Sequence, residues 1–180
     1  MPPSEPDRIA LAAALQRFAR EHPHDVSPFI DWLREPQAFL RSCLAGHFTG
    51  SAWLVSRDGQ RALLMHHRKL DRWLQPGGHA DGDVDLAGVA LREAEEESGL
   101  SDLVVEPDIF DIDRHRIPAR GEEPEHWHYD VRYVVRAVGS EVFTGNAEAF
   151  ALAWRDIAEL AADASSEASV RRMAQRWLAR

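Results

Sequence analysis

Three glutamates, Glu93, Glu96 and Glu97, lie in a stretch from Gly77 to Leu100 that reads GGHADGDVDLAGVALREAEEESGL. Leu86, Val89, Ala90, Leu91 and Ala94 recur at helical spacing and cover one broad arc of a helix over residues 84–98. Glu93 and Glu97 fall inside that apolar arc and Glu96 at its edge, whereas Asp85, Arg92 and Glu95 project from the other side. Carboxylates turned toward an apolar face are costly unless paired or bound to metal. Like charges three or four residues apart on a helix also repel. A divalent cation removes both costs, and an all-oxygen ligand set suits Mg2+ or Mn2+ rather than zinc. The plain alternative is a solvated acidic face. Against it, the acids share their face with apolar residues, and a Gly77-Gly78 turn is expected just upstream. Gly99 reads as the glycine that ends the helix.

This spacing resembles the signature of the Nudix hydrolases. In that signature Gly, five residues, Glu and seven residues precede Arg-Glu, an apolar residue, any residue, Glu-Glu, any residue, Gly and an apolar residue. Gly78, Arg92, Glu93, Ala94, Glu96, Glu97, Gly99 and Leu100 match in register. Trp73-Leu74-Gln75-Pro76-Gly77-Gly78 resembles the usual entry to the signature, and the run from Trp154 to Leu160 resembles the usual end of the fold, so the likeness touches most of residues 48–160. The resemblance implies an α/β/α sandwich around a mixed sheet. It also implies metal-assisted hydrolysis of a diphosphate linkage in a nucleoside diphosphate derivative, such as a nucleotide sugar, ADP-ribose or a nucleoside triphosphate. Carried over residue by residue, Glu93, Glu96 and Glu97, with the Gly77 carbonyl, become the ligands of Mg2+ or Mn2+, and Arg92 joins the catalytic set. Glu148 becomes the proton acceptor, with Glu141 next in line.

The chain departs from the signature at one point. Val84 stands where the family has its first glutamate, flanked by Asp83 and Asp85. Asp83 is the better placed to substitute. That departure motivates an alternative, a Nudix-fold nucleotide-binding or regulatory domain that has lost turnover. A further alternative is an isopentenyl-diphosphate isomerase-like enzyme, which needs a cysteine in a motif that Cys43 does not match.

His126, His128 and Asp130 alternate along one strand face, and Arg132 continues the series. The expected role is contact with substrate in a cleft beside the acidic helix. A solvated or structural role, and a His-x-His site for zinc or another transition metal, are the other readings. Arg114, Arg116, Arg120 and Arg132 surround the acids Glu122, Glu123 and Glu125. They either clamp phosphate or pair with those acids.

The elements that must position these groups follow from periodicity and turn residues. Residues 5–21 read as an amphipathic helix behind Ser4 as a cap. Ser27-Pro28 starts a second helix and Pro36 interrupts it. Thr49–Arg57 and Gln60–His67 read as a hairpin about Asp58-Gly59. Leu103–Ile117 contains strand-like runs, Glu125–Val138 is strongly strand-like, and residues 155–163 and 166–179 read as helices. The 180 residues fit one domain: a helical extension at 1–46, which packs on the core or forms a dimer contact or lid, a core at 47–160, and a C-terminal helix at 161–180.

The chain is 44% hydrophobic and 28% charged, as in soluble globular proteins, with net charge −9. That charge disfavours a nucleic-acid polymer as partner. The expected partner is a small phosphorylated substrate, with a homodimer as a further possibility. No apolar run reaches the roughly 18 residues of a membrane span. The N-terminus lacks the basic and apolar parts of a signal peptide. Cys43 stands alone, so no internal disulfide forms, which fits the cytoplasm.

Overall fold

The computed structural model describes residues 4–67, 71–144 and 149–180. In chain order the elements are α1 (Glu5–Glu21), α2 (Ser27–Trp32), β1 (Gly46–Val55), β2 (Arg61–His67), β3 (Arg72–Leu74), β4 (Gly77–His79) and α3 (Leu86–Ser98). There follow β5 (Leu103–Ile117), β6 (His126–Ala137), β7 (Ala149–Asp156), α4 (Ile157–Ala162) and α5 (Ala168–Leu178). The strands form one seven-stranded sheet in the order β3-β2-β1-β6-β5, with β4 also paired to β1 and β7 to β2. Only β1 and β6 run parallel among the described pairs, with His47 opposite His128 and Thr49 opposite Asp130. The expected mixed sheet flanked by helices is what the chain builds.

β1 is buried along its whole length, so its two faces meet two different cores. Phe48, Ala52 and Leu54 pack with Leu11, Leu15, Phe18 and Phe29 of the first two helices and with Leu86, Val89, Ala90 and Ala94 of α3. Trp53 and Val55 pack with Leu64, Phe110 and Val134 against Ile157, Leu160, Val170 and Met173 of α4 and α5. The N-terminal helices therefore complete one core. Leu15 is fully buried and Phe18 nearly so; truncating either to Ala costs about 2–5 kcal/mol. Arg8 of α1 ties down the chain after α2, donating to the carbonyls of Leu33, Glu35 and Pro36.

Two local expectations change. The glycine pair before α3 is not a turn: Gly77–His79 is a short strand, β4, antiparallel to Thr49–Ser51 of β1. The expected helix from residue 155 starts two residues later, because Ala149–Asp156 continues as β7 beside β2. Asp156 then caps α4, accepting from the Glu159 amide at 2.9 Å. The hairpin about Asp58-Gly59 forms as read, with Gly59 at φ 71°.

Candidate functional site

α3 is held at both ends by the residues its sequence offers. Asp85 is the N-cap, its Oδ1 accepting from the Gly88 amide at 3.0 Å. Gly99 ends the helix in the left-handed conformation at φ 69°, and its N–H reaches the Glu95 carbonyl at 2.8 Å. Leu86, Val89, Ala90 and Ala94 are buried, and this fixes the rotation of the helix against β1. Glu93 and Glu97, four residues apart, then face β4, while Glu95 and Glu96 are exposed.

The contact between α3 and β4 depends on the missing side chains of the glycine pair. A Cβ on Gly78 would stand 2.5 Å from either carboxylate oxygen of Glu93. A Cβ on Gly77 would stand 2.8 Å from the Ser51 Cβ. The Gly77 amide donates to Glu97 Oε2 at 2.9 Å, and Glu97 is 6% exposed. Backbone and two carboxylates thus meet in a cradle that any larger residue at Gly78 would fill. The donor set is oxygen throughout and suits a hard divalent ion. Such an ion commonly takes one or two carboxylates and keeps waters or substrate oxygens, which fits an exposed Glu96 beside an inward Glu93 and Glu97. Arg92 lies 3.6 Å from Asp83 (Nη1 to Oδ2), and Val84 tucks its side chain against the core.

The series on β6 is largely buried. Asp130 and Arg132, expected to meet substrate, are 2% and 3% exposed. Asp130 accepts from Thr49 Oγ1 and Ser51 Oγ at 2.8 Å each, and from Arg132 Nε at 2.7 Å. Arg132 also reaches Asp111, which is completely buried and bonded to Arg172 and Arg176 of α5 at 2.7 and 2.9 Å. A buried charge must be paired, and these groups pair with one another across β1, β5, β6 and α5. Burial opposes ionisation of Asp113, but a hydrogen bond from His115 and the Arg132 and Arg172 guanidiniums outweigh it and hold its carboxyl well below the usual range.

His126 is buried and His128 half-buried, and they do not stand alone. The parallel register sets His47 of β1 opposite His128, and His79 of β4 and His115 of β5 complete a ring of imidazoles. Sequence reasoning missed His47, Thr49 and Ser51. Their signal is the alternation of polar residues with Phe48, Gly50 and Ala52 in an otherwise apolar strand. Asp111, Arg172 and Arg176 were missed too, and no local pattern marks them.

The arginine-rich segment resolves into local pairs. Arg116 meets Glu125 at 2.7 Å, and Arg114 stacks over Trp127 at 3.9 Å from the ring centre. Glu141 is engaged with Arg61 at 2.7 Å and with the Arg57 amide at 2.7 Å. Glu148 lies outside the described residues.

The sequence matches the NUDIX domain over residues 47–176. The chain belongs to the Nudix family. That membership carries the expected enzyme class, a pyrophosphohydrolase. Among solved structures the fold is similar to an Ap4A hydrolase from C. elegans, at 17% identity and TM-score 0.57, covering 73% of this chain and 95% of that one. It is similar to the MutT protein from Methanosarcina mazei Go1, at 18% identity and TM-score 0.56, covering 74% and 94%. It is also similar to the dihydroneopterin triphosphate pyrophosphohydrolase of E. coli, at 16% identity and TM-score 0.56, covering 72% and 92%. No curated protein matches the sequence. Among the described residues no helix is long and apolar enough to cross a membrane.

Proposed function

We propose that this Nudix protein hydrolyses the diphosphate linkage of a small nucleoside diphosphate derivative, with Glu93, Glu96 and Glu97 as its metal-binding acids. The observation that carries the reading is the cradle of Gly77 and Gly78 against Glu97 and Glu93. Glu93 and Glu97, with Glu96 and the Gly77 carbonyl, would hold Mg2+ or Mn2+. When bound, such an ion neutralises charge on the phosphoryl oxygens and lowers the pKa of a water. The chain's own part is to orient the carboxylates: the Gly77 amide fixes Glu97, and Gly78 leaves room for Glu93. Arg92 stays beside Asp83 at the mouth of α3. Glu148 remains the proposed acceptor of the water's proton. Glu141 does not suit that role, since both of its oxygens are already engaged.

The trial substrates are nucleotide sugars, ADP-ribose, nucleoside triphosphates and dinucleoside polyphosphates, with a pterin triphosphate added because one structural neighbour is named for it. An isomerase chemistry through Cys43 is disfavoured, because that thiol is buried at 8% exposure. The test is release of phosphate or nucleotide from this panel with Mg2+, for the wild type and Glu97→Gln. The expected result is turnover of one class, reduced at least about 100-fold in the variant, the scale of losing a group that acts on transition-state charge. Undiminished turnover by a folded Glu97→Gln protein would sink the assignment.

A further inference from the structure

We propose that His47, His126 and His128 form a second, separate binding site for a divalent transition-metal ion, zinc first among them. These three residues, from β1 and β6, are the one group of this kind among the described residues whose ligand atoms all lie within 4.8 Å of one another. His47 is 1% exposed and its Nε2 has no hydrogen-bond partner. An unpartnered buried imidazole is costly, and this one faces the His126 and His128 rings at centroid distances of 5.0 and 4.9 Å.

The orientation of the rings suits ligation. The His126 Nδ1 lies 2.9 Å from the Pro124 carbonyl, and the His47 Nδ1 lies 3.5 Å from the Cys43 carbonyl. A backbone carbonyl on one ring nitrogen fixes the tautomer and leaves the lone pair on the other, the usual second partner of a metal-binding histidine. Two nitrogens bound to one tetrahedral zinc at about 2.0–2.1 Å lie about 3.4 Å apart. His126 Nε2 and His128 Nε2 are 3.3 Å apart. The ligand atom of His47 lies within 4.8 Å of both. Glu123, whose Oε1 lies 3.8 Å from His126 Nε2, or a water takes the fourth position.

The three rings bring nitrogen donors together in a largely buried place, and the His47 Nε2 has no other partner there. Imidazoles select zinc, copper, nickel or iron over magnesium, so the site does not compete with the oxygen cradle on α3. His79 follows Gly78 on β4 and stands 4.9 Å from the His47 ring, so an ion here would brace the strand that carries the cradle.

The experiment uses untagged full-length protein, stripped with a chelator and titrated with Zn2+ and, separately, Mg2+. Metal analysis after dialysis should find about one zinc per chain. Zn2+, and not Mg2+ at the same concentration, should raise the melting temperature, and Co2+ should give the visible absorption of a tetrahedral nitrogen-bound ion. His47→Gln and, as a half-buried position that risks the fold less, His128→Gln should each lower zinc affinity by at least roughly 100-fold. Glu97→Gln should bind zinc as the wild type does while losing hydrolysis, which separates this site from the proposed activity. Sub-stoichiometric zinc without a thermal shift in the wild type, or unchanged affinity in a folded His128→Gln protein, overturns the proposal.

Discussion

Arg92 and Asp83 lie 3.6 Å apart, Nη1 to Oδ2, across the loop that leads into α3. The acid that faces this arginine therefore comes from the residue before Val84, while Val84 itself joins the core. If this pair replaces the family's first glutamate, Asp83→Asn should reduce kcat/KM about tenfold or more at limiting Mg2+, the scale of losing one group that supports a metal site. Asp85→Asn keeps an N-cap side chain and should change little. Val84→Glu should tighten the Mg2+ dependence. Metal titrations of initial rate for the three variants decide it, and equal, negligible effects at Asp83 and Asp85 would show that Arg92 needs no acid.

Gly78→Ala should separate activity from stability. Its Cβ would meet the end of a flexible side chain, the Glu93 carboxylate, so the fold should lose no more than about 1 kcal/mol. The displaced carboxylate should cost about 100-fold in kcat, as a small misplacement of a catalytic group does. A melting curve and a rate on the same sample test both halves, and a fully active Gly78→Ala protein would refute the cradle.

Arg132→Met should be strongly destabilising without being a substrate-contact variant. It leaves Asp111 and Asp130 buried with one cation fewer. Breaking a buried pair in this way costs about 3–5 kcal/mol, a fall of roughly 6–20 °C in melting temperature for a chain of this size. KM at a temperature where both proteins are folded should stay near the wild-type value. A raised KM with unchanged stability would return Arg132 to the substrate.

Acid should unfold the protein through the same network. Asp113 has its carboxyl held below its ordinary 3.8. A group depressed on folding contributes stability that is complete above its unfolded pKa and is lost as pH falls through the folded one. Stability from this residue should therefore be constant from neutral pH down to about 4 and decline below it. In urea titrations, Asp113→Asn should be less stable at pH 7 and show a shallower loss between about pH 4 and 2. Parallel acid limbs for both proteins would mean that other carboxylates carry the effect.

Much of the site is a property of short segments and could be read from residue order. The face shared by Glu93 and Glu97, the Asp85 and Gly99 ends of α3, the Asp58-Gly59 hairpin and the strand around Tyr129 are each set within a few residues. There the helical period, the strand period and the φ that glycine tolerates act locally. The same local rules misjudged Gly77-Gly78 as a turn. The glycines serve instead to let Glu93 and Ser51 approach a strand from both sides, and only the packed neighbours reveal that.

What the residue order left open is whatever depends on which strands become neighbours. His47 and His128 are brought together by the parallel register of β1 and β6, and His115 by the antiparallel register of β5 and β6. Asp130 and Arg132 carry the same alternation as His126 and His128, yet they are consumed by Thr49, Ser51 and Asp111. Alternation along one strand states which side chains share a face. It says nothing of what covers that face, because cross-strand register and helix docking are settled by burial summed over the whole sheet.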